Sequence, residues 1–293
     1  MKTSRVVTVA ILLLAVLGAA YYGWQRYAAP EPVAEPVAEP AAPPPAPVAS
    51  APAEPAIKYP LSAIEPPEAP PPQALPALAE SDAYMQAALT ELLGKKNVLT
   101  FLQLDGFVHR VVATVDNLAR EHAPPMVWPV NPTPGRFSTR GQAASGETIN
   151  PDNSQRYTPF VLFVEAVDTA QAVKLYVRLY PLFQQAYEEL GFPKRYFNDR
   201  LVAVIDQLLA APVQDGPVAV SLVDVKGPVP SERPWVRYEF TDPKLEALSA
   251  GQKMLIRMGP VNHRRLRAKL LEVRKLVTGA AVAPAAAASA PRK

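Results

Sequence analysis

The run YFNDR at Tyr196–Arg200 is the chain's densest mixture of aromatic, amide, acid and base. A phenol, an amide, a carboxylate and a guanidinium so close together can hydrogen-bond a polar ligand. Tyr196, Asn198, Asp199 and Arg200 are therefore candidate ligand or partner contacts. The competing role is local: Asn198 or Asp199 can cap the helix that follows by accepting from its first free amides. A second cluster lies near the C-terminus, where Arg264, Arg265 and Arg267 open a strongly basic helix. Between Lys253 and Lys275 stand eight Lys or Arg and one Glu. Such a face suits an acidic envelope protein or an anionic surface, and is otherwise a solvated face with an apolar underside.

Residues for catalysis are poorly arranged by comparison. Glu188 and Glu189 are adjacent, and neighbours on a helix point about 100° apart, so they cannot face each other as an acid/base pair. A partner such as Asp199 or Asp206 would have to come from elsewhere. His109, His122 and His263 are scattered, without the carboxylate or histidine spacing of a metal site. Nucleophile-elbow serines and phosphate-cradling glycine loops are missing. No catalytic residue, metal site or cofactor follows from these residues. With 0 cysteines, thiolate chemistry and disulfides are excluded. A formal charge of +3 gives no ground for nucleic acid as a partner.

The element that must position these groups is Asp168–Leu190. Val173, Tyr176, Tyr180, Phe183 and Tyr187 form one stripe at helical spacing, with Leu175, Leu179, Leu182, Ala186 and Leu190 beside it. A helix apolar over most of its circumference belongs inside a domain. Thr169 can cap it, Gly191 can end it, and Pro181 predicts a kink or a break. Other helices are expected from Ser81 or Asp82 to Leu93, Asn97 to Leu104, Gly106 to Arg120, Tyr157 to Val167 and Tyr196 to Ala210. Three more cover Asp242–Ser249, Gly251–Met258 and Pro260–Thr278. Val218–Val223 and Trp235–Phe240 alternate as strands, joined by the loop Lys226–Pro234. Met126–Val130 reads as a short strand or ordered loop, and 131–156 as the longest irregular stretch. The fold class is mainly α (α+β): a helical domain, 77–279, around a buried central helix with a small two-stranded β element.

Ahead of that domain, residues 1–29 read as a signal-anchor. Lys2 and Arg5 precede the uncharged run Val6–Gly23, and Tyr21, Tyr22, Trp24 and Tyr27 gather at its far end. A helix of about 20 apolar residues crosses the bilayer core. The flanking charge and interfacial aromatics put the amino terminus in the cytoplasm and the rest outside. A cleaved signal peptide, with Gly18-Ala19-Ala20 at its cleavage site, is the competing form. Residues 30–76 repeat EPVA and cluster proline, so they form an extended linker unable to bury a core. Residues 280–293 form an alanine-proline tail expected to be disordered.

Several strings carry a family resemblance: RVVATVDNLAR at Arg110–Arg120, WPV at Trp128–Val130 and GRF at Gly135–Phe137. With them go LYVRLYPLFQQAYEELG at Leu175–Gly191, YFNDRL at Tyr196–Leu201, LSAGQK at Leu248–Lys253 and RMGPVN at Arg257–Asn262. In these, from about Leu75 to Gly279, the chain resembles an uncharacterised bacterial family known as domain of unknown function 3014. The resemblance implies an exported, membrane-tethered protein of Gram-negative bacteria with a proline-rich linker. It supplies no activity, cofactor or catalytic residue. The expected protein is a single-pass inner-membrane protein, held through residues 6–24, whose periplasmic domain is a non-enzymatic binding or scaffold module. The alternative is an exported carboxylate-dependent hydrolase acting on a cell-wall component.

Overall fold

The computed structural model describes residues 56–64, 74–142, 146–224 and 232–279. Every described residue belongs to one compact unit, Glu54–Lys293. The expected anchor over 1–29, the part of the expected linker before Ala56 and the expected tail 280–293 lie outside the described residues. No helix among the described residues is long and apolar enough to cross a membrane.

Helices dominate: α1 (Asp82–Leu93), α2 (Lys95–Phe101), α3 (Phe107–Leu118), α4 (Asn153–Ala166), α5 (Thr169–Glu189), α6 (Phe197–Leu209), α7 (Pro243–Glu246), α8 (Ala250–Arg257) and α9 (Pro260–Val277). The core forms around α5 as the apolar stripe requires. Leu179, Tyr180, Leu182, Phe183, Ala186 and Tyr187 are buried with Met85 of α1, Val108 and Val112 of α3 and Phe197 of α6. Tyr187 alone stacks on Phe192 with ring centroids 4.7 Å apart and meets Phe197 at 5.4 Å. A second cluster joins Val173 of α5, Val202 and Ile205 of α6 and Val277 of α9.

The start of α5 is capped by Asp168, whose carboxylate accepts from the Gln171 amide at 3.0 Å. Thr169, the expected cap, instead donates its hydroxyl to Glu272 at 2.8 Å. The helix runs unbroken across Pro181, where a kink or break is expected. Pro181 is exposed, on the same side as Lys174, Arg178 and Gln185. The proline ring therefore stands in water rather than displacing core side chains, at the turn where the Val177 carbonyl loses its amide partner. At the other end Gly191, with φ 109°, reverses the chain. Phe192 N–H donates to the Tyr187 carbonyl at 3.3 Å and Gly191 N–H to that of Glu188 at 3.0 Å. This is the paired C-terminal closure in which the residues bridging it also touch as side chains, here Tyr187 on Phe192.

The β element is larger than expected. β1 (Thr139–Gln142), β2 (Gly146–Ile149), β3 (Ala219–Leu222) and β4 (Tyr238–Phe240) form one four-stranded antiparallel sheet in that order. The expected pair β3–β4 is present, with Val220 opposite Phe240 and Leu222 opposite Tyr238. The extra hairpin lies inside 131–156, the stretch expected to be irregular. Its residues, TRGQ and GETI, show no apolar alternation, and β2 pairs with β1 on one edge and, over two residue pairs, with β3 on the other. Gly141 is required there: at φ 100°, an added Cβ would sit 2.4 Å from the Gly146 carbonyl oxygen. Val220, Phe240 and Ile256 seal the sheet onto α8. Met126–Val130 is a single 3-10 turn, Pro125–Val127, followed by one bridge between Val130 and Leu102.

One described piece of the expected linker is not free. Residues 58–64 run across the start of α6 and the end of α9, with Leu61–Ala63 as a 3-10 turn. Tyr59 and Ile64 pack on the Val173–Val277 cluster, and Leu61 on the main core. Three apolar residues spaced through a proline-rich stretch were enough to dock it, a contact that overall composition conceals.

Candidate functional site

The YFNDR run does gather polar groups at one place, and the chain itself occupies them. Tyr196 is the residue before α6, and its hydroxyl accepts from the Leu61 amide at 3.1 Å. Asp199, in the first turn, accepts from two successive amides, Lys58 at 3.0 Å and Tyr59 at 2.8 Å. Neither Asn198 nor Asp199 caps α6. A carboxylate at a helix N-terminus also meets the favourable end of the helix dipole.

Asn198 is fully buried at 0% exposure. Its side-chain amide donates to the carbonyls of Tyr59 at 2.9 Å and Val277 at 3.0 Å. Its Oδ1 accepts from the Tyr176 hydroxyl at 3.1 Å, and its backbone N–H donates to the Tyr180 hydroxyl at 3.2 Å. Tyr180 in turn donates to Gln184 Oε1 at 2.9 Å, which also accepts from the Phe197 amide. One asparagine thus ties the 58–64 strap at Tyr59, the end of α9 and the middle of α5 together, with both side-chain amide hydrogens and its amide oxygen engaged. Burial raises the Tyr176 and Tyr180 phenols far above their ordinary range, so both stay protonated donors.

Arg200 points the other way, into α3. Its Nε donates to the Asp116 carboxylate at 2.9 Å and its Nη2 to the Asp116 carbonyl at 2.9 Å. Arg120, just past the end of α3, binds the same carboxylate. The Asp116 side chain is 4% exposed, so this is a buried charge held by two guanidiniums. Asp116 was not singled out in the sequence. The signal was its position four residues after Val112 on a buried stripe, since a carboxylate there demands a cation.

The basic helix α9 is laced to its neighbours. Arg264 pairs with Asp215, Arg265 with Glu165 at 3.4 Å, and Arg274 with Asp206. Arg267 donates to the Leu209 carbonyl. Lys269 reaches the Val167 carbonyl, the Thr169 hydroxyl and Glu272. Arg264 and Arg265 keep side-chain exposures of 52% and 40%, so they remain open to a further contact. His263, on the same helix, is 1% exposed and neither ring nitrogen has a hydrogen-bond partner.

The carboxylates do not converge. Glu189 pairs with His109 at 3.0 Å across an exposed surface, which with a further bond from Gln185 lowers its pKa. Glu188 accepts from Gln184, Asp199 from the strap, and Asp206 from Arg274. Two shallow concavities stand out. One is lined by Asp168, Thr169, Lys269 and Glu272, the other by Arg120, Glu121, Gln207 and Glu246. Three of their four acids are likewise engaged: Asp168 caps α5, Glu272 binds Thr169 and Lys269, and Glu246 binds Lys253 at 2.7 Å, while the exposed Glu121 lies 3.6 Å from its neighbour His122. Among the described residues no group of three or more His, Asp or Glu could hold a metal ion.

No curated protein and no solved structure matches this chain. A family model, described as a protein of unknown function (DUF3014), matches residues 107–274, from the first residue of α3 through most of α9. That span contains Asp116, Arg120, the YFNDR run and the arginines of α9, and over it the chain belongs to this family of unknown function.

Proposed function

We propose that this is a single-pass inner-membrane protein, anchored through residues 6–24, whose stalk carries a non-enzymatic binding or scaffold domain into the periplasm. The anchor reading rests on Lys2 and Arg5 ahead of an uncharged run closed by interfacial aromatics. The observation that carries the non-enzymatic reading is how the reactive-looking groups are used. Tyr196, Asn198 and Asp199 hold the chain's own backbone, and Arg200 neutralises Asp116. An acid/base site needs titratable groups converging on a space a substrate can enter. Here they converge on peptide.

The partner we favour for such a module is an acidic envelope protein, met at the outer face of α9. Arg264 and Arg265 would there exchange their intramolecular carboxylates, Asp215 and Glu165, for the partner's. Contacts of that kind weaken with salt, because exposed charges are screened within about 10 Å at 0.1 M.

Reporter fusions placed after Pro76 test the topology. Activity of a periplasmic reporter, and silence of a cytoplasmic one, is the expected outcome; the reverse pattern overturns the anchor and the location together.

A further inference from the structure

The contact between residues 58–64 and the domain has the form of peptide recognition. Four main-chain groups of the strap are read by side chains. The amides of Lys58 and Tyr59 meet the two oxygens of Asp199, the Leu61 amide meets the Tyr196 hydroxyl, and the Tyr59 carbonyl meets Asn198. Pro60, which has no amide, stands at the position between where none is required. Specificity comes from side chains set against apolar surface: Tyr59 and Ile64 on Val173, Val202 and Val277, and Leu61 on the main core. Ala63 lies directly against Gly279, where an added Cβ would come within 2.4 Å of the Ala63 carbonyl oxygen. The strap is nonetheless a guest: its 3-10 turn contributes no buried residue, and Tyr59, Leu61 and Ile64 are only half-buried where they pack.

We infer that the groove between the start of α6 and the end of α9 is a peptide-binding site for an extended aromatic-proline-aliphatic segment, and that a second copy of this chain supplies that segment in exchange for its own. Nothing in the contacts depends on which copy the strap comes from, since they join residues 135 to 141 positions apart in sequence. Residues 65–73 join the strap to the domain. At about 3.3 Å per residue they reach roughly 30 Å, enough to cross to a neighbour. Exchanging an identical element between protomers builds a dimer without requiring any new contact. The inference also draws on the anchored reading above, because copies held on one membrane meet at high effective concentration.

A complementation pair of full-length chains in detergent tests it. One chain carries Asp199→Ala and Tyr196→Phe with its strap intact. The other has residues 57–64 replaced by glycine and serine, with its groove intact. Exchange predicts that each alone is monomeric, that the mixture forms a one-to-one heterodimer, and that adding Asp199→Ala to the strap-less chain weakens it at least tenfold. Only monomers in the mixture overturn the inference. Should the strap-less chain fail to fold, the unaltered groove is examined instead. A protease site is introduced within 65–73 and cut after folding, and labelled 1–64 fragment is offered. Uptake of label supports exchange, and a fragment that never exchanges makes the strap a permanent part of its own domain. Both readouts are taken outside the membrane, so failure of the topology reporters leaves them unaffected.

Discussion

Arg200 holds Asp116 twice, through the carboxylate and through the main-chain carbonyl, and so locks the first turn of α6 to the last turn of α3. Arg120 holds the same carboxylate from a more exposed position. Removing one partner of a buried pair strands the other's charge, whereas removing a surface partner does little. Arg200→Ala, which strands the buried carboxylate, is expected to cost about 3–5 kcal/mol in urea unfolding, and Arg120→Ala about 0–1 kcal/mol. Equal effects would mean that burial of the carboxylate does not govern the pair.

Gly251 inverts the usual expectation for a helical glycine. Alanine normally stabilises such a position through the unfolded state. Here an added Cβ would lie 2.5 Å from Leu208 Cδ2 and 3.0 Å from the Leu118 carbonyl oxygen. Gly251→Ala should therefore destabilise by about 1–3 kcal/mol, as overpacking does. A raised melting temperature would show that α6 and α8 move apart freely.

The two sides of α5 should separate cleanly on truncation. Phe183 is 6% exposed, and Phe183→Ala should cost about 3–5 kcal/mol. Leu190 belongs to the same apolar pattern in the sequence but is 43% exposed. Leu190→Ala should stay within about 0.5 kcal/mol. A large loss at Leu190 would indicate that another surface covers it.

Stability should fall in mild acid because of His263. Burial, reinforced by the charges of Arg267 and Arg264, lowers its pKa below 6.5 in the folded state. The unfolded chain then binds the proton more readily. The contribution is fully present above the unfolded value and is lost as pH drops through it toward the folded one. Thermal melts from pH 8 to pH 5 should show this slope, and His263→Leu should flatten it. An unchanged slope in the variant would assign the acid sensitivity to other groups.

Amphipathic spacing located the helices within a few residues, because burial on one side imprints a period on the sequence. It worked for α3, α6 and α9, whose buried residues recur at helical spacing. The β1–β2 hairpin left no such imprint, since TRGQ and GETI sit at a rim with little to bury. The site was legible in composition but not in direction. YFNDR announced that hydrogen bonds would be made, yet only the fold shows Arg200 turned inward to Asp116 and its neighbours turned onto Tyr59. The strap escaped notice for the opposite reason: its few apolar anchors are diluted by proline. In α9 the excess of bases was visible, but their acids, Asp215, Glu165 and Asp206, come from distant segments.

The adjacency of Ala63 and Gly279 has a mechanical meaning. Where a domain holds its own strap, the chain enters beside the point where it leaves, and Asn198 grips both through Tyr59 and Val277. A load drawn between the two extensions would lift the strap and the end of α9 away one hydrogen bond at a time, as a zip opens from its slider. The bundle around Tyr187 would carry none of that tension. Under force the domain should yield softly at its edge long before its interior feels the pull.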